Sequence, residues 1–94
     1  MTQNNKIIIT VSGTDKVGIV ARVAAILAEL NVNIEDIKQT LMQGHFVMFM
    51  LCDIDKSEYS FKDIKDKLRI TGEELGMEVW VQRKEIFDTM HTVG

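Results

Sequence analysis

Residues 46–54 read FVMFMLCDI and, laid out as a strand, they are apolar on both sides. Phe46, Met48, Met50, Cys52 and Ile54 fall on one face, and Val47, Phe49 and Leu51 on the other. A strand of that kind belongs inside a sheet, with something over each face. Residues 7–11, IIITV, make a second β-branched run of the same character. Any fold for this chain must give both runs a central place.

The remaining segments sort by periodicity. Ile19, Val20, Val23, Ile26, Leu27 and Leu30 recur at helical spacing, with Ala21, Ala24, Ala25 and Ala28 beside them. The small alanines predict a close approach of this helix to a sheet, and Asn31 predicts its stop. Val32 and Ile34 alternate with polar neighbours, as do Ile37, Gln39 and Leu41, but the two sets are out of phase. A bulge near Glu35 and Asp36 would absorb the shift, which predicts an edge strand. Gln43-Gly44 predicts a tight turn into the apolar run that follows. Ser60 with Asp63 resembles a capping pair. Phe61, Ile64, Leu68, Thr71 and Leu75 then trace one helical face, opposite Lys62, Asp63, Lys65, Asp66, Lys67 and Arg69. Asp63 and Lys67 have the spacing and polarity of a favourable ion pair, and the charge run as a whole reads as a solvated face. Gly76 predicts the helix end. Met77, Val79 and Val81 alternate with Glu78, Trp80 and Gln82 as a fourth strand, and residues 84–91 add a short helix with Ile86, Phe87 and Met90 on its apolar side.

The order strand, helix, strand, strand, helix, strand closes most simply as an α+β, ferredoxin-like βαββαβ sandwich. It is a four-stranded antiparallel sheet with two helices on one face. Right-handed crossovers place the first and third strands in the middle, where the doubly apolar runs fit. The other sheet face is then bare, with Trp80 on it. An uncovered apolar face or long edge predicts a homo-oligomer, a dimer, that covers one of them.

Ninety-four residues without a linker or low-complexity tract predict one domain, 1–94, compact over about 6–83 with a tail at 84–94. The formal net charge of −3 supplies no basic surplus for nucleic acid or anionic membranes. No apolar run approaches the ~18 residues of a membrane span. The opening MTQNNK lacks a signal peptide's apolar centre. Cys52 is the lone cysteine, so a cytoplasmic chain is the expectation.

Residues 13–20 read GTDKVGIV, between the first strand and the first helix. Two glycines with four residues between them begin a P-loop, but Ile19 and Val20 stand where its Lys and Ser/Thr belong. The pattern G-x-G-x-x-G is absent as well. Two readings remain. In the structural one, Asp15 caps the helix through the amides of Val17 and Gly18, Gly13 allows the turn, and Gly18 lets the helix approach the sheet. In the functional one, the first-turn amides and positive dipole end hold a small carboxylate, Gly18 keeps space open for it, and Asp15 meets an ammonium group. Those are the two ends of a free amino acid.

The stretch from Lys6 to Ile34, with DKVGIVARVAAILAELNVNI at its centre, resembles the ACT domain family. It is similar to stand-alone bacterial ACT proteins and to the regulatory domains of formyltetrahydrofolate deformylase and the glycine-cleavage repressor. The resemblance implies a module that binds an amino acid at the first strand–helix loop, near a dimer interface, and transmits binding to a partner enzyme or regulator. It places Asp15 at an Asn/Asp position that often meets the ligand, Gly18 at the motif glycine, and Ile19 at the aliphatic position after it. Asn33 matches a polar position that in some members reaches the ligand from across the interface. Val17 stands where proline is frequent, which leaves the loop less fixed. The candidate ligand-binding set is therefore Asp15, Lys16, Val17, Gly18, Ile19, Asn33 and Ile34. Many ACT domains bind no ligand, so the alternative is an interaction module docking through its sheet face or edge strand.

No cofactor is implied, and no arrangement suggests an enzyme. His45 and His91 read as turn and tail residues and Cys52 as a buried inert thiol, while Asp53 and Asp55 could hold a cation, although two carboxylates at a strand end are usually only solvated.

Overall fold

Ile7, Ile9 and Val11 are wholly buried, and so are Met48, Met50 and Cys52 of the other apolar run. These residues form the floor of the core in a computed structural model of the chain, which describes residues 5–14 and 17–91. The elements are β1 (Lys6–Thr14), α1 (Ile19–Glu29), β2 (Asn33–Met42), β3 (His45–Asp53), α2 (Phe61–Leu75), β4 (Glu78–Arg83) and α3 (Lys84–His91). The sheet order is β2-β3-β1-β4 with every neighbouring pair antiparallel. Both doubly apolar runs take the central places, as expected. Val23, Leu27, Ile64 and Leu68 of the two long helices close over the floor.

The predicted bulge is present. Ile34 stands opposite Cys52, but Asp36 stands opposite Leu51, so Glu35 is extra. The shift brings Ile34, Ile37 and Leu41 onto the helix-bearing face together, opposite Cys52, Met50 and Phe46. Lys6 pins the bulge by pairing with Glu35 and, at 3.2 Å, with Asp53. Gln43 and Gly44 both take positive φ, 52° and 80°, the geometry of a two-residue hairpin turn. Ser60 Oγ accepts from the Asp63 amide at 3.1 Å to cap α2, and Gly76 ends it in the left-handed region.

Four expectations need correcting. Ala21, Ala25 and Ala28 face solvent, because the buried stripe of α1 is already filled by Ile19, Val23, Ile26 and Leu27. The ion pairs within α2 are Lys62–Asp66 and Arg69–Glu73, and Asp63 and Lys67 do not pair. The close approach between a helix and the sheet is made at Gly72, where an added Cβ would lie 2.4 Å from Val79 Cγ2. Finally, the outer sheet face is not bare. The tail forms α3, which folds back so that Phe87 meets Phe49 at a ring-centroid distance of 6.2 Å, and outward-facing Ile8 is only 8% exposed. Trp80, on the same face, stays half-exposed.

Candidate functional site

Gly18 is the N-cap of α1, with φ 86° and ψ 3°. Residues other than glycine pay about 1–2 kcal/mol to adopt that conformation. An added Cβ there would meet nothing within 4 Å, so the glycine is required by backbone angle and not by helix–sheet packing. Its carbonyl accepts the first helical bond, from Arg22 N at 2.9 Å. The amides of residues 18–21 therefore have no acceptor within the helix. No acidic side chain sits in the first turn of α1 to offset the dipole, whereas α2 carries Asp63 there.

Around this turn the surface is open. Val17 is fully exposed and Gly18 is exposed, while the Ile19 side chain is 2% exposed and belongs to the core, leaving only its amide for a ligand. Asp15 and Lys16 lie outside the described residues, and the expected Asp15 cap lies there with them. Gly13 is part of β1 rather than of the turn. It gives room to Met77, whose Sδ would lie 2.6 Å from an added Cβ.

Asn33 and Ile34 are not near this turn in one copy of the chain. Thr14, His45 and Met42 share the rung at the Gly18 end of the sheet, whereas Lys6, Asp53 and Asn33 share the rung at the other end. Those rungs are eight residues apart along β1, roughly 26 Å at ~3.3 Å per residue. Asn33 is exposed at the rim of a hollow of about 510 Å³ that Asn31, Asp53, Asp55 and Lys56 also line. Ile34 is half-buried against the core.

The carboxylates beside Asn33 are engaged. Asp53 Oδ1 accepts from the Asp55 amide at 2.8 Å, and Asp55 Oδ1 accepts from Asn5 Nδ2 at 2.8 Å. The Asp55 amide, assisted by Lys6, holds the Asp53 carboxyl below the usual carboxylate range. The Glu35 and Asp53 carboxylates in turn raise Lys6. Among the described residues no three His, Cys, Asp or Glu side chains gather to hold a metal ion. Burial pushes the Cys52 thiol up to about 12, with the Glu35 charge adding to it, which makes it inert at neutral pH.

Residues not singled out from sequence also mark the Gly18 end. Leu41 and Met42 are 59% and 68% exposed at the end of edge strand β2. Ser12 Oγ and His45 Nε2 lie 3.1 Å apart on the outer face. The unbalanced apolar pair Leu41-Met42, ending a strand just before a turn, was the available signal for the first of these. For the second, only the β1–β3 register reveals it.

Two helices over one face of a 2-3-1-4 antiparallel sheet, with a glycine-capped helix after the first strand, define a ferredoxin-like module. The model of the ACT domain family matches residues 5–82. A UPF0237 protein of Listeria innocua is 50% identical over 84 residues, covering 89% of this chain and 94% of the relative. The solved ACT domain protein from Streptococcus pneumoniae superposes with a TM-score of 0.77 at 36% identity, covering 88% of this chain and 93% of that one. A formyltetrahydrofolate deformylase from Pseudomonas syringae shares the fold over 82% of this chain and 26% of its own length, with a TM-score of 0.76 at 23% identity. The chain belongs to the ACT domain family, among its UPF0237 members. Among the described residues no helix is long and apolar enough to cross a membrane.

Proposed function

We propose that the chain is a non-catalytic regulatory module that binds a free amino acid at the β1–α1 turn, with a second copy closing over it. The observation that carries the reading is Gly18. A left-handed N-cap where an added Cβ would meet no described residue within 4 Å leaves the first-turn amides of α1 accessible to a carboxylate, at a dipole end whose first turn carries no acidic side chain. Asp15 then takes the ammonium group, with Lys16 and Val17 completing the loop.

Energetics support the second copy. A dissociation constant of ~100 μM needs about −5.5 kcal/mol. Charge-assisted hydrogen bonds give ~1.5–3 kcal/mol each before association costs. An open turn with a fully exposed Val17 is marginal without another wall. Edge strand β2 supplies the means of adding one. Ile37 and Leu41 are 39% and 59% exposed on its helix-bearing face. A two-fold symmetric pairing of β2 with β2 must be antiparallel, and it covers these residues in both copies. The same pairing carries the partner subunit's Asn33 to the Gly18 end of the first copy, which reconciles the two halves of the candidate site.

Isothermal titration of the folded chain against the common amino acids tests this, with sedimentation in parallel. Heat with one or a few of them, at a dissociation constant near ~100 μM, and a ligand-driven shift toward the dimer are expected. No heat with any amino acid would end the reading. The downstream enzyme or regulator is a separate protein whose activity the bound dimer alters.

A further inference from the structure

We infer that Glu74 and Met77 are positioning residues for the β1–α1 turn: they hold its two flanks from one rigid joint between α2 and β4, so that the turn and the joint move together. The use of this link to report a bound amino acid rests on the function proposed above, whereas the link itself does not.

The turn follows the end of β1 and enters α1 at Gly18. On the first flank, Gly13 lies against Met77. An added Cβ there would be 2.6 Å from Met77 Sδ, 3.1 Å from its Cε and 3.5 Å from its Cα. Met77 is only 5% exposed, so the side chain has no room to swing away from the strand end. On the second flank stands Arg22, whose amide makes the first helical bond of α1, to the Gly18 carbonyl. Its guanidinium Nη2 meets Glu74 Oε1 at 3.0 Å. Glu74 sits in the last turn of α2, where the helix dipole favours a cation and α2 has no basic residue of its own. Arg22 brings that cation from α1.

Both contacts end on one short segment. The Met77 amide donates to the Gly72 carbonyl at 2.8 Å and the Gly76 amide to the Glu73 carbonyl at 3.2 Å, around the left-handed Gly76. This doubly bonded helix stop fixes Glu74 and Met77 relative to each other. Gly72 is in turn pressed against Val79 of β4, whose Cγ2 would lie 2.4 Å from an added Cβ. A segment bonded to itself and clamped to a strand shifts as a unit. Such a shift moves the end of β1 through Met77 and the first turn of α1 through Glu74, and Gly18 lies between them. The Arg22 and Glu74 side chains are 49% and 58% exposed, so their bridge adds little to stability and acts by orientation.

Amide resonances of the ¹⁵N-labelled chain, with no ligand added, test the link. Arg22→Glu and Glu74→Arg are each expected to shift the Val17, Gly18 and Ile19 amides. The combined charge swap is expected to return them, with the urea midpoint nearly unchanged throughout. Met77→Ala is expected to shift the same amides, and Met77→Leu, which keeps the volume, to leave them in place. Coupling is reciprocal, so Gly18→Asn is expected to shift the Gly76 and Met77 amides. The amides of residues 53–57, at the other end of the sheet, are expected to stay still in every variant. Turn amides unmoved by the single charge variants, a swap that fails to restore them, a Gly18→Asn effect that stops short of the joint, or equal shifts at 53–57 would overturn the inference. Where Met77→Ala fails to fold, the charge variants and Gly18→Asn, all at exposed positions, decide alone. The common amino acids are then added singly. Any that gives heat in calorimetry is expected to shift the Gly76 and Met77 amides with the same saturation, and heat without that shift also overturns the inference. A silent calorimeter counts against the proposed ligand and leaves the ligand-free result to decide the link.

Discussion

Phe87 of α3 stands edge-on to Phe49 of β3, with ring centroids 6.2 Å apart and planes inclined at 61°. This contact ties the last helix to the outer face of the sheet, above Ile8 and Leu51. It answers how a doubly apolar central strand is covered on the side away from α1 and α2. Phe87→Ala is expected to cost about 1–3 kcal/mol, less than a fully buried phenylalanine because the ring is half-exposed. Urea unfolding measures the loss. An apolar dye should bind the variant as Ile8 and Phe49 become accessible, while the unaltered chain stays dark.

Gly18 and Gly72 are both required, for opposite reasons. Gly18 has positive φ and open space, while Gly72 has Val79 Cγ2 at 2.4 Å and the Met77 carbonyl at 3.1 Å from where a Cβ would be. Gly18→Ala should cost about 1–2 kcal/mol, and Gly18→Asn less, since asparagine tolerates the left-handed region. Gly72→Ala should cost about 1–3 kcal/mol from overpacking, set against the ~1 kcal/mol that alanine adds to a helix. Val79→Ala should rescue Gly72→Ala by clearing the clash and leave the effect of Gly18→Ala unchanged. Double-mutant cycles in urea check both statements.

The same glycines show what the sequence carries and what it withholds. The phase slip between Ile34 and Ile37 revealed the bulge, because alternation is a property of the chain itself. The Ser60 cap, the Gln43-Gly44 turn and the Gly76 stop are likewise local chemistry. A glycine in a sequence, however, does not say whether it serves an angle or a close approach. That depends on which element packs over it, so one of the two sequence readings puts a close approach at Gly18 when it belongs to Gly72. Alanine is as indifferent, which is why Ala21, Ala25 and Ala28 could not be placed. The eight residues of α3 have an apolar side, but nothing local chooses the outer sheet face over another copy as its cover. At the candidate site, the motif and the helix start were legible, whereas the separation of Asn33 from Gly18 follows only from the sheet register.

Acid should loosen the rung that holds the bulge. The Asp53 carboxyl is held below its ordinary value chiefly by the Asp55 amide, so its contribution is fully present above the ordinary carboxylate range. That contribution is lost as pH falls through the lower folded value. Lys6 is raised, so its share persists below its ordinary value and disappears only as strong base reaches the higher folded one. Asp53→Asn should therefore be less stable than the unaltered chain at pH ~7, with the two converging at pH ~2. Urea midpoints across that range provide the check.

Cys52 should be silent to thiol reagents in the folded chain. Its side chain is wholly buried and its thiol is pushed up to about 12, so thiolate is scarce at neutral pH and access is blocked. DTNB at pH ~8 should react only at the rate of unfolding and stoichiometrically in denaturant. A fast native reaction would mean that β3 opens locally.

Leu41 tests the link between assembly and the Gly18 turn. It ends edge strand β2 on the helix-bearing face, 59% exposed in the single copy, and pairs across the ladder with buried Phe46. A glutamate there faces solvent in a monomer and should change stability by no more than ~0.5 kcal/mol. At a β2–β2 interface it buries a charge without a partner, which costs far more. Leu41→Glu should thus yield a folded monomer in sedimentation velocity. If the partner's Asn33 edge supplies the second wall, amino-acid affinity in calorimetry should fall at least tenfold, about 1.4 kcal/mol. A monomeric Leu41→Glu chain that retains full affinity would place the whole site within one copy.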